Sequence, residues 1–379
     1  MKKLTVIFVM TTTLVRLTWL WPSSDAAIRP VDLQGPVMKA HFIDMGQANA
    51  TLLEFPCGAV LIDAGAQDEE KVDELVRFLD DFFARRQDLN RTLKSVLITH
   101  NHIDHTRALK AIVGHENIKV ERYIDHGTRE GPGTGNPNWV REEKAEGNLD
   151  ITIREIEEKA VLKAAGKALT DADIDPVKCD TCDPKIRLLH GRVALQPDDW
   201  SDDEFEQKNN HSIVTRVDFG MSSFLFTGDL EEPAIDRLVA RHQTGSLLDV
   251  DVYEVGHHGS HNGTTPELLA AMTPKMAVIS CGRWDFGKPA KKKEKPKQLT
   301  TFAFGHPRRS IIDMLVLAIP GEREQATKQV VFDAVHKKPP YAEFRKPTIR
   351  KRIYATAWDG TIEIQADLQG SYTVRFSEN

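Results

Sequence analysis

The sequence of 379 residues lacks the features of several large protein classes. Apart from its N-terminus it contains no long apolar run, which excludes a multi-span membrane protein. Neither sign of charge is in large excess (formal net charge −6) and aromatic residues are few, at 7%. This balance argues against a protein that coats nucleic acid over its whole surface. With 40% hydrophobic residues, 24 glycines and 19 prolines, the composition excludes collagen, a coiled coil and a disordered chain. The length fits one large domain or two modest ones.

Cysteine is also scarce, with four residues in the chain. Cys179 and Cys182 form a single Cys-x-x-Cys with no second pair at zinc-finger spacing, so the pattern does not indicate a zinc finger. If the protein is exported, we expect a local disulfide between these two residues. Cys57 and Cys281 lie in apolar, strand-like surroundings and are expected to be buried as small hydrophobic side chains.

The N-terminus has the pattern of an export signal. Two lysines precede the apolar run 4–10, and small residues follow at Ser23, Ser24, Ala26 and Ala27. This order predicts a signal peptide over residues 1–27, cleaved near Ala27, and a secreted or periplasmic protein. Arg16 interrupts the apolar part, which argues against a transmembrane anchor and leaves an unprocessed N-terminus as the alternative.

The rest of the chain predicts one domain over residues 37–379. Three strand patterns between residues 38 and 66 are separated by turns and indicate an antiparallel meander. Apolar residues at helical spacing follow over 69–86. Residues 128–206 begin with a stretch rich in glycine, proline and asparagine and continue into an expected helix over 152–169, so we interpret them as an insertion. A closing β-hairpin is predicted over 361–376.

The strongest chemical signal directly follows the short apolar strand 95–99. It is a cluster of four potential metal ligands, His100, His102, Asp104 and His105. Residues two apart on an extended segment point the same way, so His100 and His102 can hold one ion. The chain then turns, which lets Asp104 and His105 face a second ion. A polar loop that happens to be rich in histidine is the alternative.

Further candidate ligands occur at later strand boundaries. His211 begins one strand, a Gly-Asp pair with Asp229 ends the next, and the pair His257-His258 ends the strand after that. A single Gly-Asp pair is common in turns, so the evidence for a metal site comes from the whole ordered set of candidate ligands.

This ordered set resembles the metallo-β-lactamase-fold hydrolases, and its flanking words are most similar to the hydrolase domain of bacterial competence DNA-uptake channel proteins. The resemblance covers roughly residues 37–320 apart from the insertion. It implies an α/β (α+β) fold, a four-layer αββα sandwich with metals at one edge. The matching words are His41-Phe-Ile-Asp-Met-Gly-Gln47, Leu61-Ile-Asp-Ala-Gly65, Asn209-Asn-His-Ser-Ile-Val, Phe226-Thr-Gly-Asp-Leu-Glu231, His257-His-Gly-Ser and Phe304-Gly-His-Pro307.

The resemblance also implies a dinuclear centre of zinc or, alternatively, manganese. One ion would be held by His100, His102 and His211, and the other by Asp104, His105 and His258, with Asp229 bridging the two. Two divalent ions about 3.5–4 Å apart lower the pKa of a shared water, so that hydroxide can attack a phosphorus or carbonyl centre. Competence-type sequences usually have aspartate and asparagine where this chain has His102 and His211. They also have glycine and aspartate at the positions of Ala48 and Asn49, which puts the role of that turn in doubt.

Other residues are assigned supporting roles, each with an alternative. Asp63 either orients a ligand histidine or caps a helix. His257 is expected to donate a proton or contact phosphate, since two adjacent histidines cannot both face the metals from a regular strand end. Glu231 is an acid–base candidate or a surface residue, and His306 lines the cleft or lies in a turn. The candidate catalytic residues are therefore Asp104, His257 and Glu231.

The sequence thus predicts a secreted metal-dependent hydrolase acting on phosphodiesters, either small molecules or nucleic acid. The alternatives are a lactamase- or lactonase-type hydrolase of amides or esters, and a non-catalytic binding protein with the same fold. No membrane channel and no protein partner are expected. Two basic clusters could contact phosphates or be solvated surface: Lys288, Lys291, Lys292, Lys293, Lys295 and Lys297, and then Arg345, Lys346, Arg350, Lys351 and Arg352.

Overall fold

The structure is a computed structural model and describes residues 33, 35–283, 301–333 and 343–377. The predicted signal peptide and the lysine-rich segment 288–297 lie outside the described residues. The strands, in chain order, are β1 (Val37–Phe42), β2 (Thr51–Phe55), β3 (Gly58–Ile62), β4 (Thr92–Leu93), β5 (Ser95–Leu97), β6 (Lys119–Val120), β7 (Arg122–Asp125), β8 (Thr152–Glu155), β9 (Lys185–His190), β10 (Val214–Phe219), β11 (Ser222–Phe226), β12 (Val252–Glu254), β13 (Met276–Ile279), β14 (Glu322–Lys328), β15 (Val331–Phe332), β16 (Phe344–Arg345), β17 (Thr348–Lys351), β18 (Ile353–Ala355), β19 (Thr361–Asp367) and β20 (Tyr372–Ser377).

Two large sheets organise the molecule. The first has eight strands in the order β20-β19-β1-β2-β3-β5-β7-β8, and the second has six in the order β18-β13-β12-β11-β10-β9. Strands β1, β2 and β3 pair antiparallel, as the meander predicts, and β19 and β20 form an antiparallel hairpin at the edge of the first sheet. From β3 through β5 and β7 to β8 the pairing is parallel, and so it is from β11 through β12 and β13 to β18.

Helices cover the outer faces of both sheets. The longest, α1, starts after Asp68, whose side chain accepts a hydrogen bond from the amide of Lys71 and so caps the helix. The helices are α1 (Glu69–Arg85), α2 (Ile103–Thr106), α3 (Leu109–Val113), α4 (Gly135–Ala145), α5 (Glu158–Lys163), α6 (Asp202–Glu206), α7 (Glu232–Arg241), α8 (Pro266–Met272), α9 (Thr301–Phe304), α10 (Arg309–Ala318) and α11 (Thr356–Asp359). None of the helices within the described ranges is long and apolar enough to span a membrane.

Three apolar layers hold the elements together. The central layer joins side chains of the two sheets, for example Phe42 of β1 and Phe226 of β11, whose rings stack 6.3 Å apart. A second layer packs Leu75 and Leu79 of α1 against the outer face of the first sheet, and a third packs Leu238 of α7 against the second sheet. Burying each such side chain stabilises the fold by about 1.5–3 kcal/mol. The predicted αββα sandwich is therefore confirmed.

The segment predicted as an insertion extends both sheets. Strand β8 continues the parallel part of the first sheet next to β7, and β9 forms the edge of the second sheet next to β10. The helix expected over 152–169 is wrong, because its first residues form β8 and only Glu158–Lys163 are α-helical. Tertiary pairing overrides the helical propensity of this Glu-, Lys- and Ala-rich stretch, since β7 offers β8 an unpaired sheet edge.

The disulfide also differs from the prediction. Cys57 in the turn between β2 and β3 is bonded to Cys179, with 5.5 Å between the two Cα atoms, while Cys182 and Cys281 are free and buried. The expected local bond between Cys179 and Cys182 is therefore wrong. The loop that carries Cys179 lies against the β2–β3 turn, and Cys182 packs into the layer between the sheets.

Candidate metal centre

The candidate ligands meet because parallel strands end at the same edge of a sheet. Asp63 follows β3, His100 follows β5, Asp229 follows β11 and His258 follows β12. Ligands of α/β proteins bind outside the carboxyl ends of such strands. In this chain the two sheets present these ends side by side, so the two halves of the sequence contribute to one site.

Local backbone geometry then aims each side chain. His102 is extended (φ −62°, ψ 151°) and directly precedes α2, so Asp104 and His105 lie in the first turn of that helix. Gly65 makes this possible, because a Cβ at that position would lie 1.7 Å from the carbonyl oxygen of Asp104. The amide of Asn49 binds that same carbonyl at 3.0 Å, which ties the β1–β2 turn to the helix.

Within the described residues, two groups of side chains could each hold a metal ion. The first contains His100, His102 and Asp229, and the second contains Asp104, His105, Asp229 and His258. In each group all the potential ligand atoms lie within 4.8 Å of one another. Asp229 belongs to both, as expected of a bridging carboxylate.

The hydrogen bonds of the second group occupy the Nδ1 atoms of its two histidines and leave their Nε2 atoms facing the site. His105 donates from Nδ1 to Oδ2 of Asp63 at 2.7 Å, and His258 donates from Nδ1 to the carbonyl of Ser280 at 2.7 Å. With these rings neutral, the two Nε2 atoms carry bare lone pairs and face each other at 3.3 Å. Oδ1 of Asp229 lies 3.2 Å from Nε2 of His105, and Oδ2 of Asp104 lies 3.5 Å from Nε2 of His258.

Such a cluster of acceptors repels itself unless a cation lies between them. Imidazole nitrogens with carboxylate oxygens are the donor set that zinc and similar divalent ions take, so the residues of the second group fit the metal that the fold implies. In the first group, Nε2 of His100 and Nδ1 of His102 are 3.0 Å apart, and Oδ2 of Asp229 lies 3.9 Å from Nε2 of His100. The same donor chemistry applies there.

Burial and the neighbouring charged groups shift the pKa values of the candidate ligands. Burial alone would lower the pKa of His105, but Asp229 and Asp63 raise it well above its usual value. Burial would raise the pKa of Asp229, whereas His105 and His258 hold it well below its usual value. The pKa of His100 is lowered well below normal by burial and by the neighbouring His105.

His211 does not join the first group, contrary to the prediction of a three-histidine site. Its Nδ1 accepts a hydrogen bond from the amide of Val193 at 3.1 Å, and its Nε2 donates to the carbonyl of Phe205 at 2.7 Å. Both ring nitrogens are thus used by the backbone, and neither is left for an ion. The reason is local: His211 ends the short 3₁₀ turn Lys208–His211, where its ring lies between the backbone of Val193 and that of Phe205 in α6.

The two adjacent histidines take different positions. His257 and His258 both have positive φ, 51° and 52°, so the chain turns sharply between Gly256 and Gly259 and the side chains diverge. His258 lies in the second group and His257 in neither. His257 lies beside the site, with Nε2 3.8 Å from Oδ2 of Asp229 and Nδ1 3.5 Å from Oε1 of Glu231. Its side chain is 20% exposed, so solvent reaches this ring more readily than it reaches His258.

The remaining predicted residues surround the site. Asp63 acts on a ligand histidine, as described, and does not cap α1, since Asp68 does. Glu231 accepts a hydrogen bond from the side-chain amide of Asn209 at 2.8 Å. The centre of the His306 ring lies 6.2 Å from that of His258, with the two rings stacked, and 5.8 Å from that of His257. His306 therefore lines one side of the site. Gln47 donates to Nδ1 of His306 at 3.0 Å and fixes its orientation.

Sequence reasoning missed the buried carboxyl of Glu254. This residue ends β12 and is 4% exposed, and Thr51, Ser280 and Asn49 donate to it. Burial, with Asp63 nearby, raises the pKa of Glu254 to about 7. The signal was visible in Val252-Tyr-Glu-Val, where a carboxylate interrupts an apolar strand four residues before a ligand. An acidic residue inside a buried strand is costly without a partner, which is a reason to examine it.

An αββα sandwich with two groups of candidate metal ligands at one edge is the arrangement expected of a metallo-β-lactamase fold. Comparison with models of known protein families gives the same result. The chain belongs to the metallo-beta-lactamase superfamily, whose family model matches residues 43–283.

Two curated proteins share a short segment of similar sequence with this chain. Recombination protein 2 of Haemophilus influenzae is 44% identical over 77 residues, which are 20% of this chain and 9% of that protein. ComE operon protein 3 of Bacillus subtilis is 37% identical over 76 residues, again 20% of this chain and 9% of the relative. The chain thus matches about a tenth of the length of these curated relatives.

Among solved structures, the similarities are distant. The metallo-beta-lactamase fold protein YhfI of Bacillus subtilis has a TM-score of 0.38 at 11% identity, covering 65% of this chain and 86% of that one. The short form of human tRNase Z has a TM-score of 0.34 at 13% identity, covering 64% and 92% of the two chains.

Proposed function

We propose that this protein is a dinuclear metal hydrolase that cleaves phosphodiester bonds, with nucleic acid as the preferred substrate class. The observation that carries the proposal is the convergence of six candidate ligands into two groups that share one carboxylate, Asp229. Two ions bound there would supply an activated water and neutralise charge developing on the substrate oxygens. Six of the seven ligands expected from the sequence converge in these two groups, which favours an enzyme over a binding protein that has lost its chemistry.

The chain's own residues would then handle the protons. His257 lies at the solvent side of Asp229 with Nε2 directed toward it, a position from which it can donate a proton to a leaving oxygen. Oε1 of Glu231 lies 3.5 Å from Nδ1 of His257 and faces the ring, and the side-chain amide of Asn209 donates a hydrogen bond to this oxygen. Glu231 is thereby assigned an orienting role, with acid–base work left to His257. Asp104, whose Oδ2 lies 3.5 Å from Nε2 of His258, is assigned to the metals.

Two observations favour phosphodiesters over amides or esters. One segment of local identity belongs to a relative whose name refers to recombination, a process that acts on nucleic acid. The sequence also contains six lysines in the segment 288–297, which lies between β13 and His306 in the sequence and outside the described residues. Cations there would attract a polyanion.

Export is part of the proposal. The N-terminal pattern is that of a signal peptide. The disulfide between Cys57 and Cys179 supports it, because disulfides persist in oxidising compartments and are rare in the reducing cytosol.

The decisive experiment combines metal analysis with a substrate panel. The purified protein should contain about two divalent ions per chain, and it should hydrolyse bis(p-nitrophenyl) phosphate and single- or double-stranded DNA. Chelation should abolish the activity, and zinc or manganese should restore it. Hydrolysis of a lactam or lactone in place of phosphodiesters would assign the amide- or ester-cleaving alternative. If the protein binds no divalent ions after incubation with zinc or manganese, the proposal that it is a metal-dependent enzyme is wrong.

The role of the lysine-rich segment is tested separately. Replacement of Lys291, Lys292, Lys293 and Lys295 by glutamine should raise KM for DNA and flatten its salt dependence, with little change in kcat. A matched control removes the same number of charges outside both basic clusters, by replacing the exposed Lys119, Lys144, Lys159 and Lys163 with glutamine. An unchanged KM and salt slope in the first variant would remove the segment from substrate capture.

A further inference from the structure

A network of buried polar side chains lies beneath the second ligand group and converges on Glu254. Oε1 of Glu254 accepts from the hydroxyl of Thr51 at 2.9 Å and from the hydroxyl of Ser280 at 3.0 Å. Oε2 lies 3.4 Å from Nδ2 of Asn49, which also donates to Oδ2 of Asp63 at 3.1 Å. The carboxyl group of Glu254, at the end of β12, thus connects the start of β2, the end of β13 and the turn before β2.

Each arm of the network ends at a ligand histidine. On one side Asn49 leads to Asp63, which accepts the Nδ1 proton of His105. On the other side Ser280 donates its hydroxyl to Glu254, while its carbonyl accepts the Nδ1 proton of His258. Glu254 is within hydrogen-bond distance of neither histidine. It contacts Ser280, whose carbonyl holds His258, directly, and it reaches the acceptor of His105 through Asn49.

We propose that Glu254 is a positioning residue for the second metal ion: it braces the acceptors of His105 and His258, so that the two Nε2 atoms face one point. The inference rests on metal binding at the proposed centre, and it adds a residue outside the ligand set. Groups that orient ligating histidines by accepting their second ring proton typically alter metal affinity by about 10–100-fold when removed. Glu254 lies further from the histidines: it bonds the side chain of Ser280 directly and is linked to Asp63 through Asn49.

Packing alone does not explain a carboxyl group at this position. A buried carboxyl costs free energy that its hydrogen bonds only offset, and an apolar residue of similar size would fill the space without that cost. The neighbours are placed to donate hydrogen bonds: two hydroxyls and a side-chain amide converge on the two oxygens of Glu254. This arrangement makes Glu254 a specific acceptor that links the two arms.

The test uses Glu254→Gln, which keeps the size of the side chain. Its amide oxygen can still accept from Thr51 and Ser280, but its NH₂ group would face the NH₂ group of Asn49. Asn49 must then turn over and lose its bond to Asp63. We expect the affinity for the second zinc ion to fall about 10–100-fold in a calorimetric titration of the ion-free protein, while the first ion binds as in the wild type. Glu363→Gln, which alters a partly exposed carboxyl on β19, is the matched control and should change neither affinity.

A second readout needs no metal. Nitrogen-15 NMR of the ion-free protein reports which ring nitrogen of each histidine carries its proton. In Glu254→Gln the Nδ1–H signal of His105 should shift or broaden, while that of His211 should not. If the wild type binds no ions, the proposed function fails, but the NMR comparison still decides the role of Glu254.

Two results would overturn the proposal. One is an unchanged second-ion affinity together with unchanged histidine signals. The other is an equal loss of affinity for both ions with a lower unfolding free energy, which is the signature of general destabilisation. Should Glu254→Gln not fold, Ser280→Ala takes its place, because it removes the hydroxyl and keeps the carbonyl that holds His258. A wild-type second-ion affinity and spectrum in that variant would equally refute the bracing role.

Discussion

Oδ1 of Asp229 lies 3.2 Å from Nε2 of His105, at the point where the end of β11 meets the first turn of α2. The other oxygen of the same carboxylate lies 3.9 Å from Nε2 of His100 in the first ligand group. One side chain from the second half of the sequence therefore faces both ligand groups, most of whose residues come from the first half. The centre exists only when the two sheets are packed together.

Replacement of Asp229 by asparagine should remove both ions and abolish hydrolysis while the protein stays folded. The amide keeps the volume of the side chain but loses the charge that two cations share. Metal content by mass spectrometry and circular dichroism of the same sample measure the two effects. Asp236→Asn, on the exposed face of α7, is the control and should retain both ions. Near-full activity in Asp229→Asn would exclude the bridging role.

His102 and His211 should behave oppositely when each is changed to alanine. His102→Ala should lose the ion of the first group with little loss of stability. His211→Ala should retain both ions, but its unfolding free energy should fall by about 1–3 kcal/mol, because the backbone groups of Val193 and Phe205 lose their partner. Denaturant titration and metal analysis of both variants decide the matter. Loss of an ion from His211→Ala would restore the three-histidine site.

Metal affinity should increase as the pH rises above about 6.5, the ordinary pKa of histidine, because the pKa of His105 is raised beyond that value. Asp229 and Asp63 overcome the effect of burial and raise the pKa of His105, so its proton must leave before Nε2 can bind an ion. Calorimetric zinc titrations in two buffers with different ionisation enthalpies would measure the protons released. Zero proton release across this range would contradict the assignment of Nε2 of His105 as a ligand atom.

Stability of the ion-free protein should depend on pH through Glu254. Its pKa is raised from 4.5 to about 7, so the folded state holds a proton that the unfolded state has lost between these values. The contribution of Glu254 is therefore fully present below pH 4.5 and is lost as pH rises through about 7. The wild type should lose roughly 3 kcal/mol of unfolding free energy relative to Glu254→Gln over this window. Parallel pH profiles of the two proteins would contradict the raised pKa.

The disulfide should stabilise the fold and should be found between Cys57 and Cys179. It closes a loop of 122 residues, so Cys57→Ser should lower the unfolding free energy by about 2–4 kcal/mol. Peptide mapping under non-reducing conditions should recover the two cysteines in one linked fragment. Cys182→Ser is the control and should leave that fragment intact. A fragment linking Cys179 with Cys182 would restore the local disulfide.

Short-range features of the site were predictable from sequence. His100 and His102 lie on an extended segment and Asp104 and His105 on the following helical turn, and this alternation depends only on local backbone geometry. The meander of β1 to β3 and the helix after it follow in the same way from apolar periodicity. The assignment of Asp63 to a ligand histidine or to a helix cap could not be made from the sequence, because both roles place an aspartate directly after a strand.

Long-range pairing was decided by the tertiary structure. His211 occupies a strand boundary as the other ligands do, but the neighbouring carbonyl of Phe205 and amide of Val193 take both of its ring nitrogens. Cys179 has one cysteine three residues away and another 122 residues away, and the packing of its loop on the β2–β3 turn selects the distant one. Glu254 gains its role only when Asn49 and Ser280, from different strands, converge on it.

The sequence by itself determined which residues could bind metal and in what local order, because strand and turn geometry act over a few residues. The tertiary structure decided which of them share an ion and which carboxyl braces them. Those relationships depend on how the two sheets pack, and the free energy of that packing is spread over apolar side chains throughout the chain.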